Sequence, residues 1–126
     1  MDFRYPPDAE TFRREFRGWL DANLPDELRG RGLGGSGDVG HAALDQLRAW
    51  NRTLADARYA AIAWPEEWGG RGAGVMDQVV YAEEMHRAHA PGTLNPIGLS
   101  NIAPAIIEHG TDEQFEIPAF LRRQSN

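Results

Sequence analysis

The chain has 126 residues and a net charge of −6, and it contains no cysteine. A chain of this length can bury one hydrophobic core without disulfides, and the lack of cysteine excludes thiolate metal ligands and thiol nucleophiles. Its acidic balance, with basic residues spread singly or in pairs, disfavours nucleic-acid binding. No apolar run approaches the ~20 residues of a membrane span, and no signal peptide opens the sequence, so we expect a cytoplasmic protein.

Three amphipathic helices are predicted in the first two-thirds of the chain. The first covers residues 8–22, with Asp8 as its cap and Pro25 just beyond its end. The second covers residues 41–57 and the third residues 75–89. Their apolar positions at helical spacing are Phe12, Phe16, Trp19 and Leu20 in the first, Ala43, Leu47, Trp50 and Leu54 in the second, and Val79, Ala82 and His86, beside Met76 and Val80, in the third.

Two glycine-rich segments separate these helices. Residues 30–40 have the composition of a mobile surface loop. The second segment, WPEEWGGRGAG over residues 64–74, could present amide groups to a phosphate, but the βαβ context of a nucleotide-binding loop is missing. We expect a tight connector instead, with Trp64 and Trp68 as buried anchors and glycines where φ is positive.

The last third of the chain is predicted to be helical as well. Residues 93–107 are apolar on nearly all sides, which indicates a helix buried on most of its faces, ending at Gly110. Thr111 to Gln114 match a capping box that opens a further helix, where Pro118 should produce a kink. No convincing strand pair is found, and the short apolar residues before Trp64 fit either an extended or a helical segment. The pattern therefore favours the all-α class.

One group of side chains has the spacing of metal ligands. Glu83, His86 and His89 lie within two helical turns, and Glu-x-x-His places both groups on one face. Carboxylate-bridged metal sites need a second such motif and further carboxylates, so we predict no metal site and histidines with local partners. Glu83 and Arg87 are spaced to form an exposed ion pair. We assign no catalytic residue.

Three motifs occur in a distinctive order: WPEEWGG at 64–70, VVYAEEMHRAHAP at 79–91 and NPIGLSNIAPAIIEHGTDEQ at 95–114. This order and spacing resemble the amino-terminal helical domain of acyl-CoA dehydrogenases, over residues 8 to about 122. The resemblance implies one all-α domain over residues 1–126, an orthogonal bundle of about five to six helices. In that family it precedes a β-domain and a carboxy-terminal four-helix bundle, both of which this chain lacks.

The same resemblance implies an FAD-dependent enzyme of lipid metabolism, as in fatty acid β-oxidation. In such enzymes a glutamate takes the α-proton of an acyl-CoA thioester, hydride leaves the β-carbon for the flavin, and an electron-transfer flavoprotein receives the electrons. The missing domains supply the catalytic base in most members and most FAD contacts. We therefore expect this chain to be inactive alone, and its FAD-binding residues stay unassigned. None of the following is expected to act as the base: Glu66, Glu67, Glu83, Glu84 and Glu108.

The resemblance also implies a set of acyl-contacting residues. The segment from the third helix into the next lines the acyl pocket in this family, which corresponds here to Thr93, Leu94, Ile97, Gly98 and Asn101. Leu94 and Ile97 fit a protein core equally well, because pocket walls and cores use the same residue types.

Two departures from the family carry further expectations. Arg58 stands where members commonly have glycine, so it is strained if that position is left-handed. Without the other domains, the faces carrying Ile97, Ile102 and Ile106 are bare, so we expect self-association or a complex with subunits that supply those domains. The alternative to an enzyme domain is a non-catalytic helical interaction module or partner subunit with the same fold.

Overall fold

A computed structural model describes residues 2–30 and 41–114, which form helices, turns and loops without a β-strand. The helices are α1 at Pro7–Asn23, α2 at His41–Asp56, α3 at Val75–Arg87 and α4 at Ala103–His109. Short 3₁₀ turns occupy Asp26–Leu28 and Glu66–Trp68, and a π-helical turn at Gly98–Ile102 leads directly into α4. The predicted all-α class is confirmed.

The start of α1 differs from the sequence prediction. The helix begins at Pro7, and Pro6 is the N-cap without a side-chain hydrogen bond, so Asp8 lies inside the first turn and is not the cap. Proline suits this position because its fixed φ is helical and the first turn does not need its N–H. Asp8 remains beside the positive end of the helix.

Two predictions concern the ends of the described ranges. The capping box is confirmed, because the Thr111 amide donates to Gln114 Oε1 at 3.0 Å and the Gln114 amide donates to Thr111 Oγ1 at 3.2 Å. The mobile loop over residues 30–40, apart from Gly30, and the kink at Pro118 lie outside the described residues.

The main core is built around the inner face of α1. Phe16 and Leu20 are fully buried, and the Phe16 ring centre lies 4.7 Å from that of Tyr59 and 4.8 Å from that of Tyr81. Such ring contacts stabilise beyond their buried area. The other buried members are Ala9, Phe12, Leu24, Leu28, Leu47, Trp50, Leu54, Ile62, Val80, Met85 and Ala88.

The face of α3 that enters this core is not the one suggested by its apolar spacing. Val80 and Glu84 are buried, whereas Val79, Ala82 and His86 are exposed. Positions 80 and 84 share one side of the helix, and this side packs against α1. Periodicity finds stripes on a helix but cannot tell which stripe meets the neighbouring helix.

The prediction of a mostly buried helix over residues 93–107 is wrong. Ile97 is 63% exposed and Ile102 is 50% exposed, while Ala103 is buried against Trp64. Apolar composition shows which residues avoid water, but the described chain covers only the side of this segment that meets Trp64. No described helix has both the length and the apolarity needed to cross a bilayer.

Candidate functional site

The five predicted acyl-contacting residues fall on one continuous stretch, between α3 and the end of the π-helical turn. Ile97, Gly98 and Asn101 lie at or within this turn, where Ile97 and Asn101 are exposed. Thr93 and Leu94 precede it, and Leu94 packs against the main core. The core alternative therefore describes Leu94 but not Ile97. The acyl-contacting role of all five stays a prediction.

The beginning of the turn is fixed by Asn95. Its Oδ1 accepts a hydrogen bond from the Gly98 amide at 3.0 Å, and its carbonyl oxygen accepts one from the Leu99 amide at 3.0 Å. A Cβ at position 98 would lie 2.3 Å from Asn95 Nδ2, closer than real Cβ contacts. Glycine is required here because the asparagine side chain folds over its backbone.

The middle of the turn is held from behind by Trp64. The indole Nε1 donates to the carbonyl oxygen of Leu99 at 2.9 Å, and the ring is buried beside Ala103. Ile106 and Ile107 of α4 complete this second apolar cluster together with Ala61, Trp68 and Leu99. The exposed side chains of the turn thus stand on a support formed by the tryptophan loop, which is residues 64–74.

The tryptophan loop is a backbone connector. Gly69 and Gly72 have φ values of 94° and 60°, and a Cβ at position 70 would lie 2.0 Å from the Trp64 carbonyl oxygen. The amides of residues 69–73 donate to backbone carbonyls of the same region, at distances of 2.8–3.2 Å. These five amides are therefore already used by nearby backbone carbonyls, which supports the connector interpretation.

Two arginines bind this loop to the end of α2. Arg58 has a φ of 63°, so the expected left-handed backbone is present, and its guanidinium donates to the carbonyls of Glu66 and Gly70 at 2.9 and 3.1 Å. Arg71 reaches in the opposite direction, donating to the carbonyls of Ala57 and Arg58 at 2.7 and 3.0 Å. The backbone at position 58 is strained for arginine, but the arginine side chain makes two hydrogen bonds that a glycine could not make.

A buried charge cluster joins α1 to α3, and sequence reasoning missed it. Glu84 is only 1% exposed, yet its carboxylate accepts hydrogen bonds from Arg17, Arg87 and Arg13 at distances of 2.6–3.0 Å. The bonds from Arg17 are the largest cause that holds the pKa of Glu84 at about 2, below its ordinary 4.5, although burial acts in the opposite direction. A carboxylate so firmly ionised is unsuited to proton abstraction near neutral pH.

The expected pair of Glu83 with Arg87 is not formed. Arg87 turns to Glu84, three residues back, while Glu83 accepts hydrogen bonds from Tyr5 and from Arg13, the latter at 2.7 Å. Arg87 pairs with the buried carboxylate, which has the greater need for compensating charge, whereas Arg13 bridges Glu83 and Glu84.

The contacts of Glu83 also concern the predicted metal-ligand spacing of Glu83, His86 and His89. Glu83 is engaged with Tyr5 and Arg13, and the rings of His86 and His89 lie 6.3 Å apart at the exposed end of α3. The part of the chain that the structure describes holds no group of three or more potential metal-binding side chains.

Known proteins resemble this chain along most of its length. Residues 6–117 match the family model for "Acyl-CoA dehydrogenase, N-terminal domain". The chain is 44% identical over 108 residues to acyl-CoA dehydrogenase IpdE1 of Mycobacterium tuberculosis, an alignment that covers 85% of this chain and 28% of that protein. The chain thus spans less than a third of this relative.

Solved structures lead to the same family. The structure described as "Tcur3481-Tcur3483 steroid ACAD" aligns with a TM-score of 0.67 and 29% identity, over 90% of this chain and 28% of that one. The ChsE4-ChsE5 complex from Mycobacterium tuberculosis aligns with a TM-score of 0.63 and 30% identity, over 90% and 27% of the two chains. This chain belongs to the acyl-CoA dehydrogenase family and corresponds to its amino-terminal helical domain.

Proposed function

We propose that this domain forms one wall of the acyl-binding site in an FAD-dependent enzyme that introduces an α,β double bond into acyl-CoA thioesters. The observation that carries the proposal is the π-helical turn, which presents Ile97 to solvent while Trp64 holds its other side. An exposed apolar side chain on a rigid support gains free energy when an acyl chain covers it.

Each of the five predicted residues forms a different part of this proposed wall. Ile97 supplies apolar surface, and Gly98 contributes backbone to the wall, since the Asn95 side chain fills the space that a Cβ would take. Thr93 and Leu94 continue the wall toward the core, and the exposed Asn101 borders it on the far side. These positions bind and orient the acyl group, and we propose no proton transfer to any of them.

We propose that most of the flavin site lies outside this chain, as the family resemblance implies. Five arginines that could pair with its pyrophosphate already bind Glu84 or backbone carbonyls: Arg13, Arg17, Arg58, Arg71 and Arg87. These arginines therefore do not fit a flavin site, and FAD, which supplies the hydride acceptor in this family, would be bound by other domains or subunits. The complex named for one structural relative supports assembly with a second subunit. An electron-transfer flavoprotein as acceptor and a cytoplasmic role in fatty acid β-oxidation belong to the same proposal.

We further propose a bulky, steroid-derived acyl group as the substrate. One structural relative is described as a steroid acyl-CoA dehydrogenase, at 29% identity. The exposed apolar surface of Ile97 and Ile102 suits a broad ring system better than a thin slot would.

A titration followed by NMR tests the proposal. We expect octanoyl-CoA and the CoA thioester of a steroid carboxylic acid to shift the amide signals of Gly98 and Asn101 in the ¹⁵N-labelled chain, and the steroid thioester to bind more tightly. Ile97→Lys should weaken both by roughly tenfold, because one lost apolar contact costs about 1–3 kcal/mol.

The matched control is Val75→Lys, since Val75 is 74% exposed but lies at the start of α3. It should leave both affinities unchanged. Equal effects of the two lysines, or no shifts with either thioester, would contradict the acyl-binding wall and favour a helical interaction module.

A further inference from the structure

The carbonyl of Leu99 occupies an unusual position in the π-helical turn. The Ala103 amide donates to the carbonyl of Gly98, five residues earlier. The next amide in this register would belong to position 104, which is proline and has no N–H. Leu99 therefore receives no backbone donor from position 104, and the indole of Trp64 supplies a donor at 2.9 Å.

An ordinary α-helical register would distribute these bonds differently. The Ala103 amide would then donate to Leu99, and the carbonyl that loses its donor to Pro104 would be that of Ser100. Ser100 is exposed, so water could satisfy its carbonyl. The α register thus has no need of the indole, whereas the π register depends on it.

We infer that the Trp64 indole holds the π register by replacing the donor that Pro104 lacks, and that Trp64 is a positioning residue of the acyl-binding wall. The second part rests on the proposed function. A change of one residue in register rotates the preceding residues by about 100° around the helix axis relative to α4. Ile97 and Gly98 would then face a different direction, so the indole decides which side chains reach the acyl group. Single π turns of this kind frequently occur at functional sites.

Both the start of the π-helical turn and the loop that carries Trp64 are fixed by hydrogen bonds. Asn95 holds the beginning of the turn through the amides of Gly98 and Leu99. Trp64 is held by the loop that Arg58 binds through the carbonyls of Glu66 and Gly70. The indole is therefore a fixed donor rather than a side chain that follows the turn.

A double-mutant cycle tests the selection of register. Trp64→Phe removes the donor and keeps a ring, while Pro104→Ala restores a backbone N–H. We expect Trp64→Phe to raise the unfolding equilibrium constant about tenfold more in the Pro104 chain than in the Pro104→Ala chain, since only the former leaves a carbonyl without a donor. Lost ring packing is common to both backgrounds and cancels. Equal effects in both backgrounds would overturn the inference.

Octanoyl-CoA titration of the same variants tests the positioning role. The amide shifts of Gly98 and Asn101 seen with the parent chain should persist in Pro104→Ala, which keeps the indole, and disappear in Trp64→Phe. Unchanged shifts in Trp64→Phe would overturn the positioning role. A parent chain without shifts would contradict the proposed function, while the unfolding cycle would still decide the register on its own.

Discussion

Arg17 on α1 donates two hydrogen bonds to the buried carboxylate of Glu84 on α3, at 2.9 and 2.6 Å. Arg13, one helical turn earlier, donates to the same carboxylate at 3.0 Å. The helices α1 and α3 are thus joined by these charged hydrogen bonds as well as by the hydrophobic core between them. A buried carboxylate of this kind is costly to leave without its partners.

The stability of the fold should fall in acid because of Glu84. Its pKa of about 2 in the folded chain lies below the ordinary 4.5, so its contribution is complete above about pH 5 and is lost as the pH falls toward 2. The shift corresponds to about 3 kcal/mol. Urea unfolding of the parent chain between pH 7 and pH 2 should show this loss, and Glu84→Gln should be less stable at pH 7 but less sensitive to acid.

Glu83→Gln is the matched control for this experiment, because Glu83 is the adjacent carboxylate and is exposed. It should have a smaller effect at pH 7. A Glu84→Gln chain as stable as the parent would show that the three arginines do not depend on the charge.

Removal of the Trp64 ring should destabilise the domain strongly. The side chain is buried and supports both the π-helical turn and α4. We expect Trp64→Ala to lower the free energy of unfolding by roughly 3–5 kcal/mol in urea titration. Trp68→Ala should cost less, since Trp68 is only half-buried. Parent-like stability of Trp64→Ala would refute its role as an anchor.

The glycines of the tryptophan loop should differ sharply in their tolerance of alanine. A Cβ at Gly70 would lie 2.0 Å from a backbone oxygen, whereas one at Gly74 meets no atom within 4 Å. Gly70→Ala should therefore destabilise by about 2 kcal/mol or more, because backbone must move. Gly74 has a φ of −74°, so Gly74→Ala should be nearly neutral. Thermal unfolding of the two variants tests this difference. Equal losses of stability would show that the close approach of Gly70 to the Trp64 carbonyl is unimportant.

The exposed isoleucines of the turn should promote association of the purified chain. Ile97 and Ile102 are both exposed at the two ends of one turn, and exposed apolar surface drives contact between molecules. Sedimentation velocity should show dimers or larger species at high concentration, and Ile97→Lys combined with Ile102→Lys should shift them toward monomer. A parent chain that stays monomeric at high concentration would contradict this expectation.

Short-range sequence patterns correctly predicted the buried face of α1 and the capping box at Thr111. Phe12, Phe16 and Leu20 are buried at their helical spacing, and the Thr111 capping box forms as expected. These features depend on residues within a few positions of one another. The left-handed backbone at Arg58 was suggested by the family resemblance and not by a local pattern.

The features that the sequence did not reveal depend on distant residues. Glu84 is buried because α1 brings Arg13 and Arg17 to it from about seventy positions away. The π register depends on a tryptophan 35 residues from Leu99. The single local clue to that register is Pro104, whose missing N–H shows that some carbonyl needs another donor but not which one.

Photolabelling with a diazirine-bearing fatty acyl-CoA tests the acyl-binding wall most directly. We expect the label, identified by mass spectrometry, in residues 93–102, and unlabelled octanoyl-CoA should compete it away. The exposed apolar residues Val75 and Val79 of α3 provide an internal comparison, since labelling governed by exposure alone would reach them as well. Label that concentrates on α3, or that resists competition, would contradict the account.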